Sequence, residues 1–260
     1  LRRRAAQRRA AARMGGMSWS AFEAELARRR DAGRPVEFWW RDDDASKVSP
    51  ALQKLLQLSN TRRIPLALAV VPEAADPELF RLLHERVTVL QHGTDHRNRA
   101  AAGEKKTEYP AGEPIEAALA RVLDGLGRLR AFAGARLVPV LAPPWNRIRQ
   151  DLLKKLPAIG IRGVSTYGAR ASAEPAPELR QVNTHVDIVA WQGNRGFVGE
   201  EEALSLALDS LSDTEPLGWL THHAVHDAAA WNFLERLFTL ESARWLSAAQ
   251  AFSYTAPADG

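Results

Sequence analysis

Asp43 and Asp44 close a short apolar run, and His92-Gly-Thr-Asp-His96 follows well downstream. Imidazole nitrogens and a carboxylate are the donors that a divalent ion such as zinc accepts. One carboxylate with two histidines leaves a coordination position for water, the arrangement of a catalytic site rather than a structural one. His92 and His96 are four apart and share a face if the segment turns helical. The aspartate beside the ligand is a ready general base. With no cysteine in the chain, any metal must be held by His, Asp or Glu. The chemistry these residues point to is metal-assisted hydrolysis.

Other groups could serve the same reaction. In Arg41-Asp42-Asp43-Asp44, adjacent like charges repel, and a nearby cation relieves them. Arg97 and Asn98 are placed to orient the ligands. In Pro143-Pro144-Trp145-Asn146-Arg147 a rigid turn offers an indole to stack on a sugar face. There Asn146 or Arg147 could contact a polar substrate or the base. His185 and Asp187 fall on one face of a strand, and Asp187 could polarise a catalytic histidine. His222-His223-Ala-Val-His226-Asp227 could hold a second metal; the preferred reading is one histidine as general acid and another as a structural or loop residue. His84, within a helical stretch, reads as a surface residue.

These residues need elements to hold them. Apolar runs are expected as strands at residues 36–40, 65–71, 87–91, 137–141, 161–165, within 179–190, and at 217–221. Helical spacing covers residues 18–30, 50–62, 76–86, 113–133, 149–158, 200–211 and 228–252, the last with a break near Thr239. Residues 104–109 and 169–177 read as exposed loops. Seven strands alternating with helices argue for a parallel sheet with helices outside. The polar residues recur at strand C-termini along the whole chain, as at the mouth of an α/β barrel. A doubly wound sheet would gather them at one switch point.

The chain has 260 residues with 45% apolar composition, enough for one barrel-sized domain. Its net charge of +4 is a property of the first segment: residues 1–16 hold six arginines and no acid, and the remainder is slightly acidic. Residues 1–17 are expected to form a disordered basic tail, with residues 18–260 as the barrel domain. The competing reading of the tail is an anion-binding arm for nucleic acid or lipid headgroups. No run approaches the roughly 20 apolar residues of a membrane span, and the tail lacks the apolar centre of a secretory signal. A cytoplasmic location without nucleic-acid or membrane partners is expected.

With the motifs in order, the chain resembles the polysaccharide deacetylase (NodB-homology) superfamily over roughly Val36 to His226. The resemblance implies a distorted (β/α)7 barrel. It also implies the following roles. Arg41-Asp-Asp-Asp-Ala45 matches the first motif, with Asp43 as base and Asp44 as metal ligand. His92 and His96 of the second motif complete the ligand set. Ala142-Pro-Pro-Trp-Asn146 stands at the third motif, and Trp145, Asn146 and Arg147 there are expected to meet substrate. Asp187 to Trp191 matches the fourth, with Asp187 in the catalytic group and Trp191 on the substrate side. Leu220-Thr-His222 matches the fifth, which carries the catalytic histidine, His222 or the adjacent His223.

This chain departs from the pattern in three places. The arginine that begins the third motif and pairs with the base is replaced by Ala142, so that either Arg147 or Arg41 substitutes or the base is tuned differently. Three aspartates where two are usual leave the register open by one. Two adjacent histidines leave the fifth motif open likewise. The expected cofactor is a divalent metal: zinc, with cobalt or manganese as alternatives. The expected activity is deacetylation of an N-acetylated sugar or polysaccharide precursor. Alternatives are hydrolysis of a small cyclic amide or ureide, and carbohydrate binding without catalysis, suggested by eight tryptophans. Oligomeric state is not readable from the sequence.

Overall fold

The computed structural model describes residues 18–255; the basic tail expected at residues 1–17 lies outside them. Ten residues, Val36–Ala45, form β1, the strand around which the others assemble. It is preceded by α1 (Trp19–Asp31), capped by the Ser18 hydroxyl, which accepts from Ala21 N–H. There follow α2 (Pro50–Arg62), β2 (Leu66–Val70), α3 (Pro77–Arg81), β3 (Val87–His92), α4 (Ile115–Ala133), β4 (Leu137–Ala142), α5 (Gln150–Leu153) and β5 (Gly163–Val164). The chain continues through β6 (Arg180–Gln181), β7 (Val186–Asp187), α6 (Glu200–Asp209), β8 (Leu217–Thr221), α7 (Ala228–Leu237), β9 (Ala243–Leu246) and α8 (Ala248–Ala251).

The strands pair in the order β6-β5-β4-β3-β2-β1-β8-β7, with β9 added beside the start of β1. Every ladder is parallel. The sheet curls into an incomplete barrel whose two edges, β6 and β7, come from one short stretch of chain. Alternation along β1 divides the core. Trp39 joins Ala67, Ala69, Leu90, Val138, Val140 and Leu246 in the inner cluster. Phe38 and Trp40 join the outer cluster beneath the helices, where Phe22 of α1 stacks on Phe38 and meets Trp219 edge-on. Gly218 is required inside: a Cβ there would lie 2.5 Å from both Asn183 O and Trp39 Nε1.

Several features differ from the sequence expectation; one is the helix expected at 149–158, which is α-helical only over Gln150–Leu153. The described residues hold nine strands against the seven expected, because 179–190 yields two short strands rather than one and Ala243–Leu246 adds another. The expected helix at 228–252 ends at Leu237, and Ala243–Leu246 is a strand. Its pairing with Val36–Trp39 decides this, not its own composition. The expected helix at 76–86 stops at Arg81, and His84 sits in the following turn, half-buried, with Nε2 3.1 Å from Leu56 O. A cavity of about 700 Å³ opens at the other end of the barrel, around Val138, Arg162, Arg180 and Phe252. It is remote from the strand C-termini that carry the titratable residues.

Candidate metal centre and its surroundings

Three successive aspartates end β1, and each faces a different partner. In a regular strand Asp42 and Asp44 would share one face and Asp43 the other. The β1–β2 register shifts between Asp42 and Ala45, and Asp44 adopts φ 69°, a left-handed conformation that aspartate tolerates better than most residues. This bend turns Asp44 back towards the mouth of the barrel.

Asp44 Oδ1 lies 3.0 Å from His92 Nε2 and 3.2 Å from His96 Nε2. Among the described residues this is the group of three whose donor atoms could share one metal ion. His92 ends β3 and is almost wholly buried, whereas Asp44 and His96 remain 39% and 31% exposed, which leaves an open side. His96 is not reached by a helical turn: Gly93 (φ 60°) and His96 (φ 56°) fold the segment back, and the two rings sit 5.2 Å apart. His92 Nδ1 is 2.9 Å from the Ala142 carbonyl. A carbonyl only accepts, so Nδ1 carries hydrogen and, in the neutral ring, Nε2 presents its lone pair.

The donor set fits a cation. Ligand atoms about 2.0–2.1 Å from a tetrahedral zinc lie about 3.3 Å from each other, close to the distances found here. Burial alone would raise the Asp44 carboxyl, but hydrogen bonds to His92 and His96 reverse this and hold it well below the usual range. Burial works against a charged His92, and the charges of Asp43 and Asp44 outweigh it and raise its pKa.

Asp43 points into the barrel, 2% exposed, against the fully buried Arg41. Arg41 Nη2 donates to Asp43 Oδ2 at 3.0 Å, and Nε lies 2.9 Å from Oδ1 as an ion-pair contact. The same guanidinium donates to Ser165 O and Oγ and to Asn146 Oδ1. Arg41, two positions before Asp43 on the same strand, thus meets the carboxylate that an arginine at position 142 would be expected to meet. Arg147 does not: it is exposed and donates to Lys106 O. Asn146 Oδ1 is the acceptor in the bond from Arg41. Trp145 packs against His96 with ring centroids 4.6 Å apart. Trp145 and Asn146 are both left-handed, at φ 56°, a strain of order 1–3 kcal/mol each.

The two adjacent histidines separate cleanly. His222 turns inward, with Nε2 4.0 Å from Asp43 Oδ2 and Nδ1 4.0 Å from Asp187 Oδ1. These are ion-pair separations, not hydrogen bonds. Asp187 accepts from Val189 N and from Trp191 Nε1; burial pushes its pKa up. Trp191, 42% exposed, stands edge-on to His222 at 4.7 Å. His223 turns outward, its Nδ1 2.5 Å from Asp42 Oδ1. Asp42 Oδ2 also accepts from Thr221 Oγ1 and His223 N. Asp42 and His223 therefore clamp the ends of β1 and β8 together from behind the mouth. His185 does not join Asp187: it accepts from Gly218 N and lies 3.4 Å from Glu215. The Arg97 side chain is exposed, with Nε 3.7 Å from Asp95 Oδ2.

No sequence-family profile matches the chain, and no curated protein matches it. Solved structures do. A peptidoglycan N-acetylglucosamine deacetylase, in complex with 4-naphthalen-1-yl-N-oxidanyl-benzamide, superposes with a TM-score of 0.58 at 16% identity, covering 84% of this chain and 89% of that one. A family 4 carbohydrate esterase from Streptomyces lividans, in complex with acetate, gives 0.52 at 14% identity over 81% and 90%. A family 4 acetyl xylan esterase from Clostridium thermocellum, in complex with a cobalt ion, gives 0.51 at 10% identity over 84% and 91%. The curled parallel sheet of this chain, with helices outside and titratable residues at its mouth, has the NodB-like barrel fold of the family 4 carbohydrate esterases and peptidoglycan deacetylases.

Proposed function

We propose that the protein is a metal-dependent deacetylase that removes acetyl groups from an N-acetylated sugar or polysaccharide precursor. The observation that carries this reading is the meeting of Asp44, His92 and His96 at one point, beside an Arg41-held Asp43 and across from His222. The shared fold supports it, since its other bearers include deacetylases and acetyl esterases. A divalent ion, zinc by the donor set and with cobalt or manganese as alternatives, would supply Lewis acidity and lower the pKa of a water towards about 7.

The chain's own residues account for the proton transfers. Asp43 takes a proton from the attacking water, and its charge is kept in place by Arg41. The water oxygen bonds to the acetyl carbon, and the backbone N–H at Trp145 is the donor assigned to the developing oxyanion. The carbon–nitrogen bond breaks as His222 gives a proton to the departing amine, with Asp187 4.0 Å behind it. Acetic acid and the free amine leave; Asp43 then releases its proton to solvent and His222 takes one up, which resets both groups. General acid–base help of this kind contributes about 100- to 10,000-fold. Trp145 and Trp191 flank the centre and would stack on sugar faces. His223, turned away to Asp42, is assigned a structural role instead of the catalytic one.

The test is metal analysis of protein purified without chelator, followed by assays of acetate release from N-acetylglucosamine oligomers and of ring opening of small cyclic amides. Stoichiometric metal and acetate release from the sugars is expected. Ring opening of the amides alone would replace the substrate assignment. Sugar binding without metal or acetate release would end the hydrolase reading.

A further inference from the structure

The segment between the two histidines is fixed from outside itself. Glu108 lies in the connection between β3 and α4, which reads from sequence as an exposed loop, yet its side chain is fully buried. Its Oε1 accepts two successive backbone N–H groups, from Thr94 at 2.9 Å and from Asp95 at 3.2 Å. Consecutive N–H groups converging on one anionic oxygen form a nest, and such charge-assisted bonds are stronger than neutral ones. These two amides lie between His92 and His96. The other oxygen, Oε2, packs against the turn itself: a Cβ on Gly93 would sit 2.0 Å from it and 2.6 Å from Pro144 Cδ.

A buried carboxylate is costly unless it is paired or well bonded. The nearest guanidinium, that of Arg99, is 3.9 Å away and is committed to Asp95. Oε2 has no hydrogen-bond partner. An amide or apolar residue would be easier to bury in this place. What the carboxylate contributes is geometry. It holds the backbone of Thr94 and Asp95 while Gly93 and His96 take left-handed conformations, and that backbone sets where both imidazoles point.

We propose that Glu108 is the positioning residue of the metal-binding loop, acting through the Thr94 and Asp95 amides to aim His92 and His96 at a common point. The inference rests on the reading of Asp44, His92 and His96 as metal ligands. Outer partners of this kind contribute about 10- to 100-fold to metal affinity.

The experiment is a titration of chelator-stripped full-length protein with Zn2+ and Co2+, in wild type, Glu108→Gln and Glu108→Ala, with Glu215→Gln as a comparison. Glu215 lies away from the centre, next to Arg170 and His185. Glu108→Ala is expected to weaken Zn2+ about 10- to 100-fold and to change the visible Co2+ spectrum. Glu108→Gln keeps an acceptor oxygen without the charge and is expected to fall between Ala and wild type. It carries the test if Glu108→Ala does not fold. Glu215→Gln is expected to lower thermal stability without altering Zn2+ affinity. Folded Glu108 variants that bind Zn2+ within twofold of wild type, with an unchanged Co2+ spectrum, would overturn the inference alone. Wild type that takes up neither ion would instead remove the metal reading and the inference with it.

Discussion

Replacing Arg41 by methionine should leave Asp43 without its counter-ion inside the barrel. The two side chains are 0% and 2% exposed, with Nε 2.9 Å from Oδ1. A pair of unit charges about 4 Å apart is worth about 1 kcal/mol in water and about 4 kcal/mol at an effective dielectric of about 20. Removing one member of a buried pair costs about 3–5 kcal/mol. For a domain of this size each kcal/mol lowers the melting temperature by about 2–4 °C, so Arg41→Met should lose about 6–20 °C. The bonds from Arg41 to Ser165 and Asn146 are lost in the single and the double variant alike, so a cycle with Asp43→Asn isolates the ion pair. Removing both charges should restore most of the loss, with a coupling of at least about 2 kcal/mol. Urea unfolding with an unchanged slope measures this. A loss under about 1 kcal/mol, as exposed pairs give, or simple additivity of the two substitutions, would refute the argument.

Asp43→Asn should retain the metal and lose about 100- to 10,000-fold in turnover; full activity with metal bound would show that the base is misassigned. His222→Asn should reduce turnover at nearly unchanged stability, whereas His223→Asn should destabilise by about 1–3 kcal/mol by leaving Asp42 short of a buried partner; reversed results in turnover assays and urea titrations would exchange the two roles. Burial holds His226 down to about 4 from an ordinary 6.5, and its Nε2 accepts from His222 N–H. Between those values the unfolded chain binds the extra proton, so its contribution to stability is complete above about pH 6.5 and is lost as the pH falls towards 4. Urea midpoints over that range should vary less steeply in His226→Gln, and an identical slope would contradict this.

The elements that the sequence revealed were those with strong local patterning. The apolar runs that became β2, β3, β4 and β8 are found within a residue of where the sequence marks them. Strand β9 was not legible, because Ala243–Leu246 owes its extended form to the free side of β1 rather than to its own residues. The same holds for the site. Side chains whose type announces chemistry, Asp44, His92, His96 and His222, were singled out and are found together. Residues that act by burial were not. Glu108 resembles any loop acid until Tyr109 and Pro144 are seen packed around its connection, and Asp42 could not be told from its neighbours before the bend after it was known. Arg41 was one of two candidates to meet Asp43, and only three-dimensional proximity separates it from Arg147.

The bend at Asp44 restricts how this centre could be re-engineered. A side chain exchanged for that aspartate must supply a donor atom and also accept a backbone that L residues enter at a cost of about 1–2 kcal/mol. Asparagine and histidine meet both demands with least strain, so cation preference could be retuned through them without rebuilding the strand. Valine or threonine there would favour the regular pleat, in which position 44 falls on the Asp42 side of the sheet, away from His92 and His96.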